Sequence, residues 1–199
     1  MWAVSTATVL RALANWSGAL MGVLLIVVGG LVQAAIPWPG PNGLVLLPLP
    51  ITLQLAALLL TALVCGQRAA TLAVVAYLSI GLFQIPVFHG GGGLPYLLDP
   101  GFGYLAGFVP AAWLCGRLSR QNGMDDPLTL AGAAMIGVVV VQICGALNLI
   151  LGSLAGRWDL GLASMLLSYA VIPLLPQLLI CCAVGVLAMP LRRMLLVSS

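Results

Sequence analysis

The chain has 199 residues, of which 62% are hydrophobic and only 6% charged; the charges are seven Arg and four Asp, with no Lys and no Glu. A water-soluble domain with a mean hydropathy of +1.19 would expose large apolar patches, so composition excludes that class and implies an integral membrane protein. Without Lys there is no P-loop and no ATP hydrolysis by this chain, no nucleic-acid partner is expected, and any uphill work must be powered by another subunit.

The first apolar run, Leu13–Ile36, is long enough to cross a bilayer, and its length argues against a cleaved signal peptide. Ala14, Gly18 and Gly22 recur along it at four-residue spacing, which makes a flat groove on one helix face. That groove serves either close packing within the bundle or docking of another membrane subunit. Between Pro37 and Pro50 the chain is dense in Pro and reads as a rigid, irregular connection. The second run, Pro50–Cys65, carries Thr52 and Gln54 at its start. The third, Ala69–Ile85, puts Tyr77, Gly81 and Gln84 on one face by their i, i+4, i+7 spacing.

Residues 86–104 hold the lone His of the chain, His89, and a four-glycine run. Backbone so broken must lie at the membrane surface or line a cavity, since bare amides are costly in hydrocarbon. The N–H groups of Gly91 and Gly92 can form a nest for an anion, and His89 and Tyr104 are candidates for ligand contact. The fourth run is Phe102–Leu118. Asp125 and Asp126 before Pro127 signal the start of the fifth, Leu128–Leu151, which contains Gln142 and Asn148. A short connection with Arg157 and Asp159 leads to the sixth, Leu162–Met189, where Gln177 follows Pro173 and Pro176.

These runs predict a single all-α membrane domain over residues 1–199, with six transmembrane helices. With the N-terminus in the cytoplasm, Arg11, Arg68, Arg117, Arg120, Arg192 and Arg193 fall inside and Arg157 alone outside. That bias places both termini in the cytoplasm of a multi-pass plasma-membrane protein, with Asp99, Asp159 and the Pro- and Gly-rich connections outside. Gln54, Gln84, Asn148 and Gln177 then reach similar depth near the outer face, where they can converge on one outward-opening pocket.

Catalysis is disfavoured: there is no Gly-x-Ser-x-Gly motif, and no acidic residue sits inside a span for a proton or sodium relay. Cys65, Cys115, Cys144, Cys181 and Cys182 lack C-x-x-C spacing and read as small buried hydrophobes, so neither a disulfide framework, a metal nor a cofactor is expected. A stand-alone facilitator, an enzyme using His89 and Asp99, and a scaffold without ligand are the rival readings.

Three segments together resemble the BioY family: Pro48-Leu-Pro-Ile-Thr52-Leu-Gln54, Ala76-Tyr77-Leu-x-x-Gly81-Leu-Phe83-x-x-Pro86-Val-Phe88 and Pro100-x-x-Gly103-Tyr104-Leu-x-Gly107-Phe108. The resemblance extends over roughly Leu31 to Leu187. It implies a six-helix, biotin-binding S component of an energy-coupling factor (ECF) transporter, working with a transmembrane coupling protein and two cytoplasmic ATPases. It further implies that the 37–50 and 86–104 connections close over ligand from outside. On this basis Thr52, Gln54, Tyr77, Gly91, Gly92, Tyr104 and Gln177 are expected to bind substrate, with Gln84, His89, Asn148 and Arg157 as further candidates and Ala14, Gly18 and Gly22 facing the coupling partner.

The chain departs from the family pattern where charge is expected. After Pro173-Leu-Leu-Pro176, Leu178 and Cys181 stand in place of Asp and Lys; Gly91 matches an Asn and Leu105 an Arg found in some members. Gln177 can offer a ureido group both a donor and an acceptor. Either biotin is bound differently here, or the ligand is another small vitamin-like molecule.

Overall fold

Helix α1 runs Thr6–Leu31 and stops short of Ile36, where the hydropathy pattern ends the first span. Pro37 and Pro39 hold the residues before them extended and supply no N–H for a continuing helix. In this computed structural model, which describes residues 6–40, 43–83, 85–88, 91–158 and 161–195, the chain turns instead into a β-hairpin. Strand β1 (Gln33–Gly40) pairs antiparallel with β2 (Gly43–Thr52), from Gly40↔Gly43 at the tip to Gln33↔Thr52 at the base. The expected irregular connection is thus a regular ribbon, and the fold is not purely α. Proline is tolerated there because each strand of a two-stranded ribbon has an open edge, where a missing N–H breaks no ladder bond.

The hairpin also takes residues 50–52 from the expected second span, so α2 starts at Gln54 and ends at Cys65. The Leu53 N–H donates to the Val32 carbonyl at 2.9 Å and closes the hairpin's base. Gly66 alone separates α2 from α3 (Gln67–Leu82). Its φ of +83° suits glycine, and a Cβ there would lie 2.8 Å from Arg120 Nε.

Beyond α3, Phe88 and Gly91 exchange backbone hydrogen bonds, and a 3₁₀ turn follows at Leu94–Leu98. The expected single fourth span is two pieces, α4 (Phe102–Ala106) and α5 (Phe108–Leu118), meeting at Gly107. A Cβ on Gly107 would approach Cys144 Cβ to 2.9 Å, so its absence lets the break sit directly against the next helix. That helix, α6, covers Pro127–Leu154 and is capped by Asp126, whose Oδ2 accepts from the Leu128 N–H at 3.2 Å. The last segment begins as α7 (Leu162–Leu166), widens into a π turn at Leu167–Val171, and continues as α8 (Ile172–Met194). Pro173 has no N–H to return to the preceding turn, and the helix widens just before it.

Among the described residues, three stretches are long and apolar enough to cross a membrane: Thr8–Leu31, Pro127–Leu154 and Leu162–Met194. Helices α2 and α3 are apolar but shorter. α1 packs on α2 and α3, and α6 on α8, around a core that includes Leu58, Leu63, Val74, Tyr77 and Val138.

The two ends of the bundle differ in chemistry. At one, Arg120 donates to the Val64 carbonyl (3.3 Å) and Arg192 to the Ser119 carbonyl (2.8 Å), tying together the α2–α3 turn and the ends of α5 and α8. At the other lie the hairpin, the described part of the connection after α3 and the end of α6, the last two joined by Trp158 Nε1 donating to the Leu98 carbonyl at 3.2 Å.

The small-residue stripe on α1 faces inward. A Cβ on Gly18 would meet Cys65 and Ala69 at 3.1 and 3.2 Å, and one on Gly22 would meet Thr61 at 2.6 Å. Only Ala14 of the three is exposed, so the groove expected to receive another subunit is filled at Gly18 and Gly22 by the protein's own α2 and α3.

Candidate ligand-binding site

A hollow of about 700 Å³ opens at the hairpin end, a size suited to a small organic ligand. Its wall begins at Gly30 of α1 and crosses the hairpin base, where pairing in register sets Gln33 beside Thr52. Gln54 adds the first turn of α2, Tyr96 the 3₁₀ turn, and Tyr104, Leu105 and Phe108 the two sides of the α4–α5 break. Val141 of α6, Ser168 and Tyr169 of the π turn, and Pro173 and Gln177 of α8 complete it. The π turn thus brings two consecutive polar side chains to the wall. A smaller hollow of about 450 Å³ lies against Trp16, Arg68 and Trp113.

Two hydrogen-bonded pairs orient the glutamines. Gln54, 6% exposed, donates from Nε2 to the hydroxyl of the fully buried Tyr77, which donates in turn to the Val87 carbonyl at 3.2 Å. A phenol has one proton; with it committed to Val87, Tyr77 can only accept from Gln54. The Gln54 Oε1 is therefore left as an acceptor for the hollow. Gln177 accepts from Gln142 Nε2 at 2.7 Å through its own Oε1, which leaves its Nε2 as a donor. An acceptor and a donor lining the same hollow match a group carrying both N–H and C=O.

The rest of the wall is aromatic and apolar. Tyr104 stacks on Tyr169 with centroids 6.4 Å apart, and its buried hydroxyl has no hydrogen-bond partner among the described residues. Glycine makes room for that ring: a Cβ on Gly145 would lie 2.2 Å from Tyr104 Cε1. Behind the wall, Phe88 contacts both Tyr77 (5.4 Å) and Tyr96 (4.8 Å), seated where a Cβ on Gly81 would collide with its ring.

Every described residue of the wall is uncharged. At its edge, Asp99 Oδ1 accepts from the N–H of the wall residue Gly101 at 2.7 Å. Burial, followed by the charge of Asp99 and then Tyr169, raises the Tyr96 phenol above its usual range, so it stays neutral at physiological pH.

Of the residues expected from sequence to touch substrate, Thr52, Gln54, Tyr104 and Gln177 meet on this wall, while Tyr77 stands one bond behind it. Gly91 and Gly92 are not on the wall. The Gly92 backbone packs against the Ile85 and Gly81 carbonyls, where a Cβ would lie 2.6 and 3.0 Å away, and the Gly93 N–H donates to the Gly81 carbonyl at 2.7 Å. These glycines seat the connection on the end of α3. Asn148 donates to the Pro100 carbonyl at 3.2 Å and stays off the wall, and Arg157 is exposed. Gln84, His89 and Asp159 lie outside the described residues. Leu105, which replaces an expected cation, is on the wall; Cys181 is buried one turn beyond Gln177.

Sequence reasoning missed Gln33, Tyr96, Ser168 and Tyr169. Gln33 had a usable signal as a polar residue near the far end of the first apolar run. Tyr169, four residues before Pro173, marks where proline leaves a helix short of a hydrogen bond. All five Cys are free thiols, and among the described residues no three His, Cys, Asp or Glu side chains gather as metal ligands.

The BioY family model matches residues 5–196. The chain belongs to the BioY family. It is 36% identical over 96 residues to "Probable biotin transporter BioY" of Lysinibacillus sphaericus, a match covering 48% of this chain and 49% of that one. It is 36% identical over 93 residues to "Biotin transporter BioY" of Thermotoga maritima, covering 46% and 55% respectively. The chain thus spans about half the length of these BioY relatives in alignment. The fold matches a solved structure, "Crystal structure at 2.1 A of the S-component for biotin from an ECF-type ABC transporter", with a TM-score of 0.67 and 22% identity over 96% of this chain and 95% of that one. These BioY relatives and this fold neighbour are named as transporters or transporter components.

Proposed function

We propose that this chain is a biotin-binding S component that captures biotin outside the cell and delivers it through an ATP-driven ECF transporter. The observation that carries this is the hollow whose described residues are all uncharged and which Gln54, with Oε1 free to accept, and Gln177, with Nε2 free to donate, both line. A ureido ring fits that pair: its N–H donates to Gln54, its carbonyl accepts from Gln177, and the aromatic walls take the apolar sulfur-bearing ring. Tyr104, whose hydroxyl has no partner among the described residues, adds a further contact, and Thr52 borders the same space.

In this reading the chain crosses the membrane six times, with the arginine end and both termini in the cytoplasm. The concentration of Arg120 and Arg192 at the end opposite the hollow supports that orientation. The hairpin and the 86–104 connection then lie outside, over the hollow. A transmembrane coupling protein and two cytoplasmic ATPases supply the energy; the absence of Lys, and so of a P-loop, from this sequence supports an outside source for any uphill transport.

Thermal unfolding of the detergent-purified chain against a panel of vitamins tests the ligand. Biotin at about 100 times its Kd should stabilise it by about 2.7 kcal/mol. A shift with a different vitamin and none with biotin refutes the substrate. Co-purification of a coupling protein and ATPases from native membranes tests the partners.

A further inference from the structure

We infer that this site recognises the bicyclic head of its ligand and ignores the carboxylate, so that biotinyl amides and esters are bound as well as free biotin. The inference rests on the biotin-binding reading and narrows it to a ligand class. Every described wall residue is uncharged, and the polar ones are amides, hydroxyls and phenols. An ionised carboxylate taken into such a space without a cation forfeits its hydration with no compensating charge. Among the described residues no Arg lines the wall: Arg120 and Arg192 are committed at the opposite end of the bundle, Arg117 lies over Trp113, Arg68 borders the smaller hollow, and Arg157 is exposed. The charge that does abut the wall has the wrong sign, since Asp99 holds the N–H of Gly101. The strong directional groups, Gln54 and Gln177, are both suited to the neutral ureido end. A valerate tail is therefore left to point out of the mouth, where an amide, an ester or an acid meets water equally well.

Calorimetric titration of the full-length protein with biotin, biotinamide and biotin methyl ester decides the matter. The three Kd values should agree within about threefold, and that for biotin should change less than about twofold between about 50 and about 500 mM salt. If the free acid binds more than about thirtyfold tighter than the amide, or weakens steeply with salt, a cation reads the carboxylate and the inference fails while the biotin assignment stands. If none of the three binds, both fall together.

Discussion

The Gln54 amide is held at one angle by Tyr77, because the single proton of that phenol goes to the Val87 carbonyl and its oxygen is left to accept. The pair joins the first turn of α2, the middle of α3 and the connection that follows α3, so one buried chain links the pocket to the segment beside its mouth.

Tyr77→Phe removes the acceptor and strands a buried amide donor. It should weaken biotin about tenfold and lower the ligand-free stability by about 1–3 kcal/mol. Titration calorimetry and thermal unfolding together check this, and unchanged affinity in a folded variant would mean that Gln54 is not oriented by Tyr77.

Gln177→Leu deletes the donor that complements the Gln54 acceptor and should reduce affinity about 10- to 100-fold. Gln142→Leu leaves Gln177 in place but free to rotate, so a smaller loss, about threefold, is expected. Equal losses in the two variants contradict a direct role for Gln177.

Gly145→Ala places a Cβ where Tyr104 now sits, within 2.2 Å of its ring. The ring's open side is the hollow, so the strain of about 1–3 kcal/mol should appear mainly as lost affinity, with little change in melting temperature without ligand. A large drop in melting temperature with intact binding argues the reverse.

Gly22→Leu should be among the most destabilising single changes, since even a Cβ would lie 2.6 Å from Thr61; a loss above about 2 kcal/mol is expected. Ala14→Leu, on the exposed part of the same stripe, should leave stability within about 0.5 kcal/mol. Differential scanning of the purified variants separates the two.

Orientation is checked with single cysteines introduced into a background whose natural cysteines are replaced. Val45→Cys on the exposed hairpin should react with a membrane-impermeant maleimide in whole cells, and Gln121→Cys at the arginine end only after lysis. The opposite pattern inverts the topology.

Much of the architecture is legible in the order of residues. Apolar runs locate the helices, Asp126 before Pro127 marks the start of α6, and Arg120 and Arg192 gather at one end as their spacing implies. Glycine and proline mark the break between α3 and α4 and the segment between α1 and α2. Thr52, Gln54, Tyr104 and Gln177 stand out as polar groups in apolar surroundings, and they do meet on one wall.

Other features depend on partners distant in the chain. The ribbon from Gln33 to Thr52 reads as irregular because its ladder is a relation between two Pro-rich strands. Gln142 and Gln177, 35 residues apart, become a pair only when α6 packs on α8. Helix rotation is the common difficulty: these helices are apolar nearly all round, so periodicity scarcely says which face turns inward. That is why the Gly18–Gly22 groove was open to either an inward or an outward reading until the packing of α1 on α2 and α3 resolved it. Sequence alone established a membrane chain of this family, its helices and its charged end, because hydropathy and charge are local sums. The tertiary structure alone decided which side chains share the hollow and that no described charge lines it, because those depend on helix rotation and long-range packing.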